Sequence, residues 1–201
     1  LLRGGLLEQL HGWSNKSSLQ LSGPERAFLD ASVLYPATLR NLLMHLAVAG
    51  VFQARWTDKV QDEWTAALLR DRPDLDAARL AHRRQLMDTY ILDARVTGYE
   101  HLIDGLVLPD PDDRHVLAGA IHSGATLIVT ANLRHFPAAA LAAHSIKAQH
   151  PDTFLRTLIE GDANVVAAAV AEHRAALADL RKIQRRSGMA EATDSQRVAA
   201  A

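Results

Sequence analysis

The segment from Pro109 to Phe136 constrains the fold of this 201-residue chain more than any other part of it. It begins with several aspartates, continues through apolar residues at helical spacing up to Gly124, and then enters the almost wholly apolar run Ala125–Thr130. A strand without polar alternation is typical of a parallel sheet that is covered on both faces. Glycine is common directly after a helix because it adopts the left-handed conformation easily. This order of helix, glycine and buried strand predicts an α/β fold.

The rest of the chain also alternates between strand and helix patterns. Short apolar runs are followed by apolar residues at helical spacing, with glycine or proline between many of these segments. Such alternation is typical of βαβ units, which build a parallel sheet with helices packed against it. We therefore predict an α/β fold built from βαβ units, with a parallel sheet and right-handed crossovers. The predicted strands are Ala27–Leu29, Val51–Trp56, Tyr90–Val96, Ala125–Thr130 and Ile146–Gln149.

Length and composition favour one domain with extensions at both ends. With 48% hydrophobic residues the chain can bury one substantial core. Residues 1–27 are predicted to be an N-terminal extension, residues 28–160 the main domain, residues 161–186 a C-terminal helix and residues 187–201 a flexible tail. The predicted helices follow Pro36 and Thr57, begin at Pro73, follow Asp113, and cover Tyr99–Leu106, Pro151–Ile159 and Ala163–Ile183.

Composition also excludes several function classes. The chain has no cysteine, so a metal would have to be held by oxygen or imidazole. The formal net charge of −1 argues against a protein that coats nucleic acid through many phosphate contacts. No apolar run approaches the roughly 20 residues that span a bilayer, so we expect a cytoplasmic protein without a membrane partner. Phosphate-binding loops, the serine-hydrolase elbow and the H-E-x-x-H zinc motif are all missing.

Four oxygen-bearing side chains lie at the edges of apolar segments that are far apart in sequence. They are Asp30, Glu63, Asp113 and Asn132. In parallel sheets, ligands bind beyond the carboxyl ends of the strands, where Asp30 and Asn132 are predicted to lie. Crowded carboxylates repel each other unless a cation lies between them, and Mg²⁺ or Mn²⁺ prefers such oxygen ligands. A divalent-metal site is therefore predicted, with phosphodiester hydrolysis as the leading reaction.

The residues alone leave alternatives open at each of these positions. Asp30 could merely end the strand and cap the next helix, and Asn132 could satisfy the backbone of a loop. Asp62 is hardly less plausible than Glu63, and Asp113 could be only an N-cap, a role that Asp110 or Asp112 could equally fill. Ser32 could hold a carboxylate or a metal-bound water. The histidines at 115 and 122 could share a helix face, but core or surface roles are predicted for both.

Together these motifs resemble those of PIN-domain nucleases, especially the VapC-like ribonuclease toxins of toxin–antitoxin pairs. The resemblance covers about Ala27–Glu160. Its specific part is the third motif, D-P-D-D-R-H-V-L-A-G-A, followed closely by the fourth, I-V-T-A-N-L-R-H-F. The first two motifs, F-L-D-A-S and W-T-D-K-V-Q-D-E-W, are weaker. Alignment on Ala118 and Ala120 selects Asp113 as the third acid, and the same logic selects Glu63 over Asp62.

The resemblance implies a PIN-like three-layer α/β fold for residues 28–160, in which a central, mostly parallel sheet of about four to five strands is flanked by helices. It also implies an endoribonuclease that cleaves single-stranded RNA with Mg²⁺ or Mn²⁺. It assigns Asp30, Glu63 and Asp113 as metal ligands and adds Asn132 to the catalytic set. It also implies a homodimer and a small antitoxin partner. Supporting roles are predicted for Ser32, Thr130, Asp110 and Asp112, and RNA contacts for Arg114 and Arg134.

One departure from the family pattern motivates a second hypothesis. Many members carry an aspartate where this chain has Asn132, which offers an amide oxygen but no charge. A PIN fold that binds RNA or a protein without cutting is therefore the alternative. A phosphatase or receiver-like domain is weaker, because the phosphatase pattern requires a second aspartate where this chain has Ser32.

Overall fold

The computed structural model describes residues 24–172, together with residues 174, 175 and 178. Within these residues five strands form one sheet in the order β3-β2-β1-β4-β5, and every pairing is parallel. The predicted α/β fold with a parallel sheet is confirmed. The strands are β1 Arg26–Leu29, β2 Gln53–Thr57, β3 Arg95–Val96, β4 Leu127–Val129 and β5 Lys147–Gln149.

Helices connect the strands, as parallel pairing requires. Short 3₁₀ turns, Glu100–Gly105, Pro111–Asp113 and Leu133–His135, lie between the strands and the longer helices. Residues 163–172 are also helical. The remaining helices are α1 Ala31–Leu34, α2 Ala37–Val48, α3 Asp58–Asp71, α4 Ala77–Tyr90, α5 Arg114–His122, α6 Ala138–Ala142 and α7 Pro151–Gly161.

The core lies on both faces of β1 and β4, where every residue from Ala27 to Leu29 and from Leu127 to Val129 is buried. Helix α5 approaches β1 closely because it carries Gly119 there. A Cβ atom at that position would lie 2.6 Å from the Phe28 ring, which is too short for an ordinary contact. Glycine thus lets α5 pack directly on the strand that precedes Asp30. This packing fixes Asp113, at the start of α5, relative to the end of β1.

The predicted length of one strand and the predicted start of one helix are wrong. The predicted strand Tyr90–Val96 is only the two-residue β3, because α4 continues through Tyr90 and the chain then turns at Asp93, which has a φ of 61°. The helix predicted to begin at Pro73 begins at Ala77 instead. Its N-cap is Asp76, whose side chain accepts a hydrogen bond from the Ala78 amide. In both places a local capping or turn preference decides the boundary.

Other boundaries agree closely with the sequence patterns. Thr57 caps α3 by accepting a hydrogen bond from the Val60 amide, and Gly124 ends α5 with a φ of +63°. The segment Tyr99–Leu106 is helical, although as a 3₁₀ turn.

Residues 1–23 of the predicted extension, most of the second half of the predicted C-terminal helix and the predicted tail lie outside the described residues. The predicted division of the chain into domains stays a prediction. In the part that the structure describes, no helix is long and apolar enough to cross a membrane.

Candidate active site

Asp30 lies directly after β1 and is only 5% exposed. Its backbone amide donates to the carbonyl of Val129, so Asp30 is tied to the neighbouring strand β4. Its carboxylate oxygen Oδ2 accepts hydrogen bonds from the Ser32 hydroxyl at 2.6 Å and from the Thr130 hydroxyl at 2.7 Å. The carboxylate is therefore held in one orientation by two residues that follow neighbouring parallel strands.

The loop after β4 is anchored to the same hydroxyl groups. The Ala131 amide donates to Ser32 Oγ at 3.0 Å, and the Asn132 amide donates to Thr130 Oγ1 at 2.9 Å. The Asn132 backbone is thus fixed near Asp30, while the residue itself is exposed. Its side-chain amide oxygen is an uncharged atom that could coordinate a cation at this edge of the sheet.

No lysine, arginine or histidine nitrogen lies within 4.0 Å of the Asp30 carboxylate in the described part of the chain. A buried carboxylate without a counter-charge is costly, because burial removes it from water and neutral groups replace that solvation only in part. Two hydroxyl donors offset only part of this cost. Divalent cations bind hard carboxylate oxygens, so the chemistry of this position fits such an ion.

Asp113 is half-buried at the start of α5. Burial raises the pKa of its carboxyl group, the His135 imidazole opposes the rise, and the charges of Asp30 and Asp110 add to it. Asp30 follows β1 at the carboxyl edge of the sheet, and Asp113 lies at the start of α5, which leads back to the amino end of β4, so both lie toward the same edge. Like charges that are partly removed from water at one edge favour a cation there.

His135 is a contact of Asp113 that the sequence analysis missed. Its Nδ1 atom lies 2.6 Å from Asp113 Oδ2 and 3.8 Å from Asp110 Oδ2. Arg134 Nε donates to His135 Nε2 at 3.0 Å, so a neutral ring carries its proton on Nδ1 and donates it to Asp113. The available signal was its position three residues after Asn132, one helical turn along the chain.

Asp110, Asp113 and His135 form a group whose potential ligand atoms all lie within 4.8 Å of one another. Asp110 also caps the 3₁₀ turn, because its side chain accepts a hydrogen bond from the Asp112 amide. Asp112 is exposed. Among the described residues, this group has the donor atoms and the spacing that could hold a cation.

Glu63 and Asp62 are neighbours on α3 with different partners. The Glu63 carboxylate lies 2.9 Å from the Nε2 atom of His115, a buried residue on α5. Asp62 instead pairs with Arg84 at 2.5 Å on a more exposed surface. Of the two acids, Glu63 is therefore the one that contacts the helix whose N-terminus carries Asp113.

The structure does not bring the three predicted metal ligands within bonding distance of one common ion. Asp30 and Asp113 share one side of the molecule, and Glu63 contacts α5, yet these three carboxylates do not form a group within mutual ligand distance in the described chain. Of the predicted RNA contacts, Arg134 is exposed beside His135, and Arg114 is partly buried with no hydrogen-bond partner for its Nε atom.

Comparison with known proteins decides the family. The family model described as "PIN domain" matches residues 26–134, which is more than half of the chain. This chain belongs to the PIN-domain family. The match includes the four motif residues Asp30, Glu63, Asp113 and Asn132 and ends one residue before His135. The predicted family resemblance is confirmed.

A second comparison matches a shorter stretch of the chain. Over 43 residues the chain is 60% identical to a Mycobacterium tuberculosis protein named "Putative ribonuclease VapC50". This alignment covers 21% of the chain and 25% of that relative, so the chain spans about a quarter of the length of the curated relative that it matches. No solved structure gives a significant match.

Proposed function

We propose that this chain is an endoribonuclease that cleaves phosphodiester bonds of single-stranded RNA with Mg²⁺ or Mn²⁺, and that it acts as the toxin of a toxin–antitoxin pair. The observation that carries the proposal is the buried Asp30 carboxylate, which has no cationic partner among the described residues and lies toward the same edge of the sheet as Asp113. Membership of the PIN-domain family and the ribonuclease name of the relative support the same reaction class.

In this proposal Asp30, Asp113 and Glu63 hold the ion. When bound, the ion would activate water and neutralise charge that develops on the phosphate. Ser32 and Thr130 both donate to the Oδ2 atom of Asp30, which fixes the carboxylate and leaves its Oδ1 atom available. Fixing a ligand in advance lowers the cost of ordering it when the ion binds.

The remaining predicted site residues have smaller proposed roles. Asn132 supplies a neutral amide oxygen, so it binds a cation more weakly than an aspartate would. Asp110 and His135 flank Asp113 and add donor atoms on its outer side. Arg134 is placed to contact a phosphate from the rim, and Arg114 is a further candidate. With a net charge of −1, we expect few phosphate contacts and a shallow dependence of RNA affinity on salt.

The proposal includes partners and a location. A small antitoxin that occupies the site would silence the enzyme, the active form would be a homodimer, and both would act in the cytoplasm. Light scattering of the purified chain, alone and mixed with the product of the neighbouring gene, tests the homodimer and the binding of the antitoxin. A monomer at micromolar concentration would contradict the dimer and leave the reaction untouched.

Cleavage of a labelled single-stranded RNA over a range of Mn²⁺ concentrations tests the reaction. We expect Asp30→Asn and Asp113→Asn to reduce the cleavage rate by about a hundredfold or more, since losing a metal ligand removes several kcal/mol of stabilisation and about 1.4 kcal/mol corresponds to tenfold. Asp62→Asn is the matched control, because Asp62 pairs with Arg84 on the surface. Unchanged cleavage in both test variants would exclude the proposal.

The alternative is a PIN domain that binds RNA or a protein without cutting. The neutral side chain of Asn132 favours it, because a missing charge weakens the hold on a cation. The same titration separates the two functions. RNA binding without product at any Mn²⁺ concentration would support the alternative, and an Asn132→Asp variant that gains cleavage would identify the lost charge as the cause.

A further inference from the structure

His115 is a buried polar side chain to which the proposed reaction has so far given no role. It lies on α5 two residues after Asp113 and is 1% exposed. Neither of its ring nitrogens has a hydrogen bond of accepted geometry among the described residues. Buried polar atoms nearly always have a partner, so an enclosed imidazole without one requires an explanation.

The nearest acidic group to the ring is Glu63. The His115 Nε2 atom lies 2.9 Å from Glu63 Oε1, a hydrogen-bond distance, although the mutual orientation falls outside the angular limits for a hydrogen bond. The Glu63 side chain is 37% exposed and can rotate, whereas the ring is enclosed, so a small rotation of the carboxylate would align the two groups.

The surroundings of His115 are rigid. Its neighbours Val116 and Leu117 are fully buried, and Gly119, one turn further along α5, lies against the Phe28 ring and leaves no room for a Cβ atom. The imidazole is therefore a fixed point to which the more mobile Glu63 carboxylate can be tied.

Asp62, the acid next to Glu63 on α3, does not contact His115. Asp62 reaches Arg84, and its side chain is 65% exposed. Glu63 reaches across to α5 instead. His115 is thus what connects a carboxylate of α3 to the helix that carries Asp113.

We propose that His115 is a positioning residue for Glu63: its Nε2–H group donates to the Glu63 carboxylate and holds that acid beside the helix whose first turn carries Asp113. The inference rests on the proposed function, in which Glu63 is a metal ligand. Partners that orient a ligand in this way change metal affinity by about 10- to 100-fold when they are removed. His115 itself does not touch the ion or the RNA.

The tautomer of His115 tests the contact without any change to the site. Long-range ¹H–¹⁵N spectra of the labelled wild-type chain report which ring nitrogen carries the proton, and the His115→Gln spectrum assigns the signal. We expect the proton on Nε2, facing Glu63. A proton on Nδ1 alone would overturn the proposal, because Nε2 could then not donate.

Calorimetric Mn²⁺ binding tests the consequence. We expect His115→Leu to weaken Mn²⁺ binding at least about tenfold, while His115→Gln, which keeps an N–H donor near the Nε2 position, stays within about threefold of wild type. His122→Leu is the matched control on the same helix. The His122 ring packs edge-on against His101, at 6.0 Å between ring centroids, and its replacement should not change Mn²⁺ affinity.

A double-mutant cycle separates positioning from a merely structural effect. In a Glu63→Gln background, His115→Leu should cause no further loss of Mn²⁺ affinity, because the carboxylate that it positions is already gone. An equal loss in both backgrounds, or wild-type affinity for His115→Leu alone, would overturn the inference. If His115→Leu does not fold, the tautomer measurement decides alone.

The same data distinguish this inference from the proposed function. Wild-type protein that binds Mn²⁺ and cleaves RNA, with a His115→Leu variant that does both equally well, would refute only the role of His115. Wild-type protein that binds no Mn²⁺ would refute the proposed function itself.

Discussion

The two edges of the parallel sheet carry similar residue types in different environments. At the amino-terminal edge, the polar side chains are exposed and pair locally, with Arg26 donating to Gln53 and Thr126 donating to Glu25. At the carboxyl-terminal edge, Thr130 donates to Asp30, which is buried and has no cation beside it in the described chain. A threonine–carboxylate pair thus occurs at both edges, but only one of them is removed from water. Burial without a counter-charge distinguishes the candidate site from an ordinary polar edge.

The largest expected difference between the edges is in catalysis. Asp30→Asn should reduce RNA cleavage about a hundredfold or more, because the ligand charge is lost. Glu25→Gln removes a charge from the opposite edge and should leave the rate unchanged. Initial rates on a labelled RNA at saturating Mn²⁺ measure both. A comparable loss in the two variants would show that the edges do not differ in function.

The close approach of α5 to β1 gives the next prediction, on stability. Gly119→Ala places a Cβ atom 2.6 Å from the Phe28 ring and should lower the free energy of unfolding by about 1–3 kcal/mol. Gly105→Ala is the matched control, since no atom lies within 4 Å of its Cβ position. Denaturant titration measures both variants. Equal stability of Gly119→Ala and wild type would mean that α5 can move away from β1 without cost.

Replacing the threonine in each of the two threonine–carboxylate pairs tests which edge of the sheet binds the metal. Thr130→Val removes one of the two hydroxyl donors to Asp30, so we expect Mn²⁺ affinity to fall about tenfold. Thr126→Val makes the same change beside Glu25 and should have no effect. Calorimetry gives both affinities. A loss for Thr126→Val as large as that for Thr130→Val would contradict the assignment of the site to one edge.

The smallest expected effect concerns stability without metal. Burial and nearby carboxylates raise the pKa of Asp113, which means that its charged form is disfavoured in the fold. Asp113→Asn should therefore raise the free energy of unfolding of the metal-free protein, by less than about 1 kcal/mol because water screens this partly exposed group. Asp152→Asn, at a side chain that is 80% exposed, should change it by less than about 0.5 kcal/mol. Destabilisation by Asp113→Asn would show that its contact with His135 outweighs the repulsion.

Sequence patterns were informative where one physical requirement dominates a segment. The continuous apolar run up to Val129 identified the buried strand β4, and the rule that parallel strands end at one edge placed Asp30 near Thr130. Thr57 and Gly124 were identifiable because capping and left-handed backbone depend on residue type alone. These features required no knowledge of distant contacts.

The rest of the site depends on contacts between remote segments. His135 reaches Asp113 and His115 reaches Glu63 only because α3, α5 and the loop after β4 pack together. The local sequence of His115 does not distinguish it from a core or surface residue, and that of His135 offers only its position three residues after Asn132. Strand β3 has two residues and so carries no periodic signal.

Diffraction from crystals soaked in Mn²⁺, with anomalous data, tests the central claim most directly. We predict an anomalous peak within about 2.5 Å of carboxylate oxygens of both Asp30 and Asp113. A peak bound by Asp110, Asp113 and His135 without Asp30, or no peak at this edge of the sheet, would contradict it.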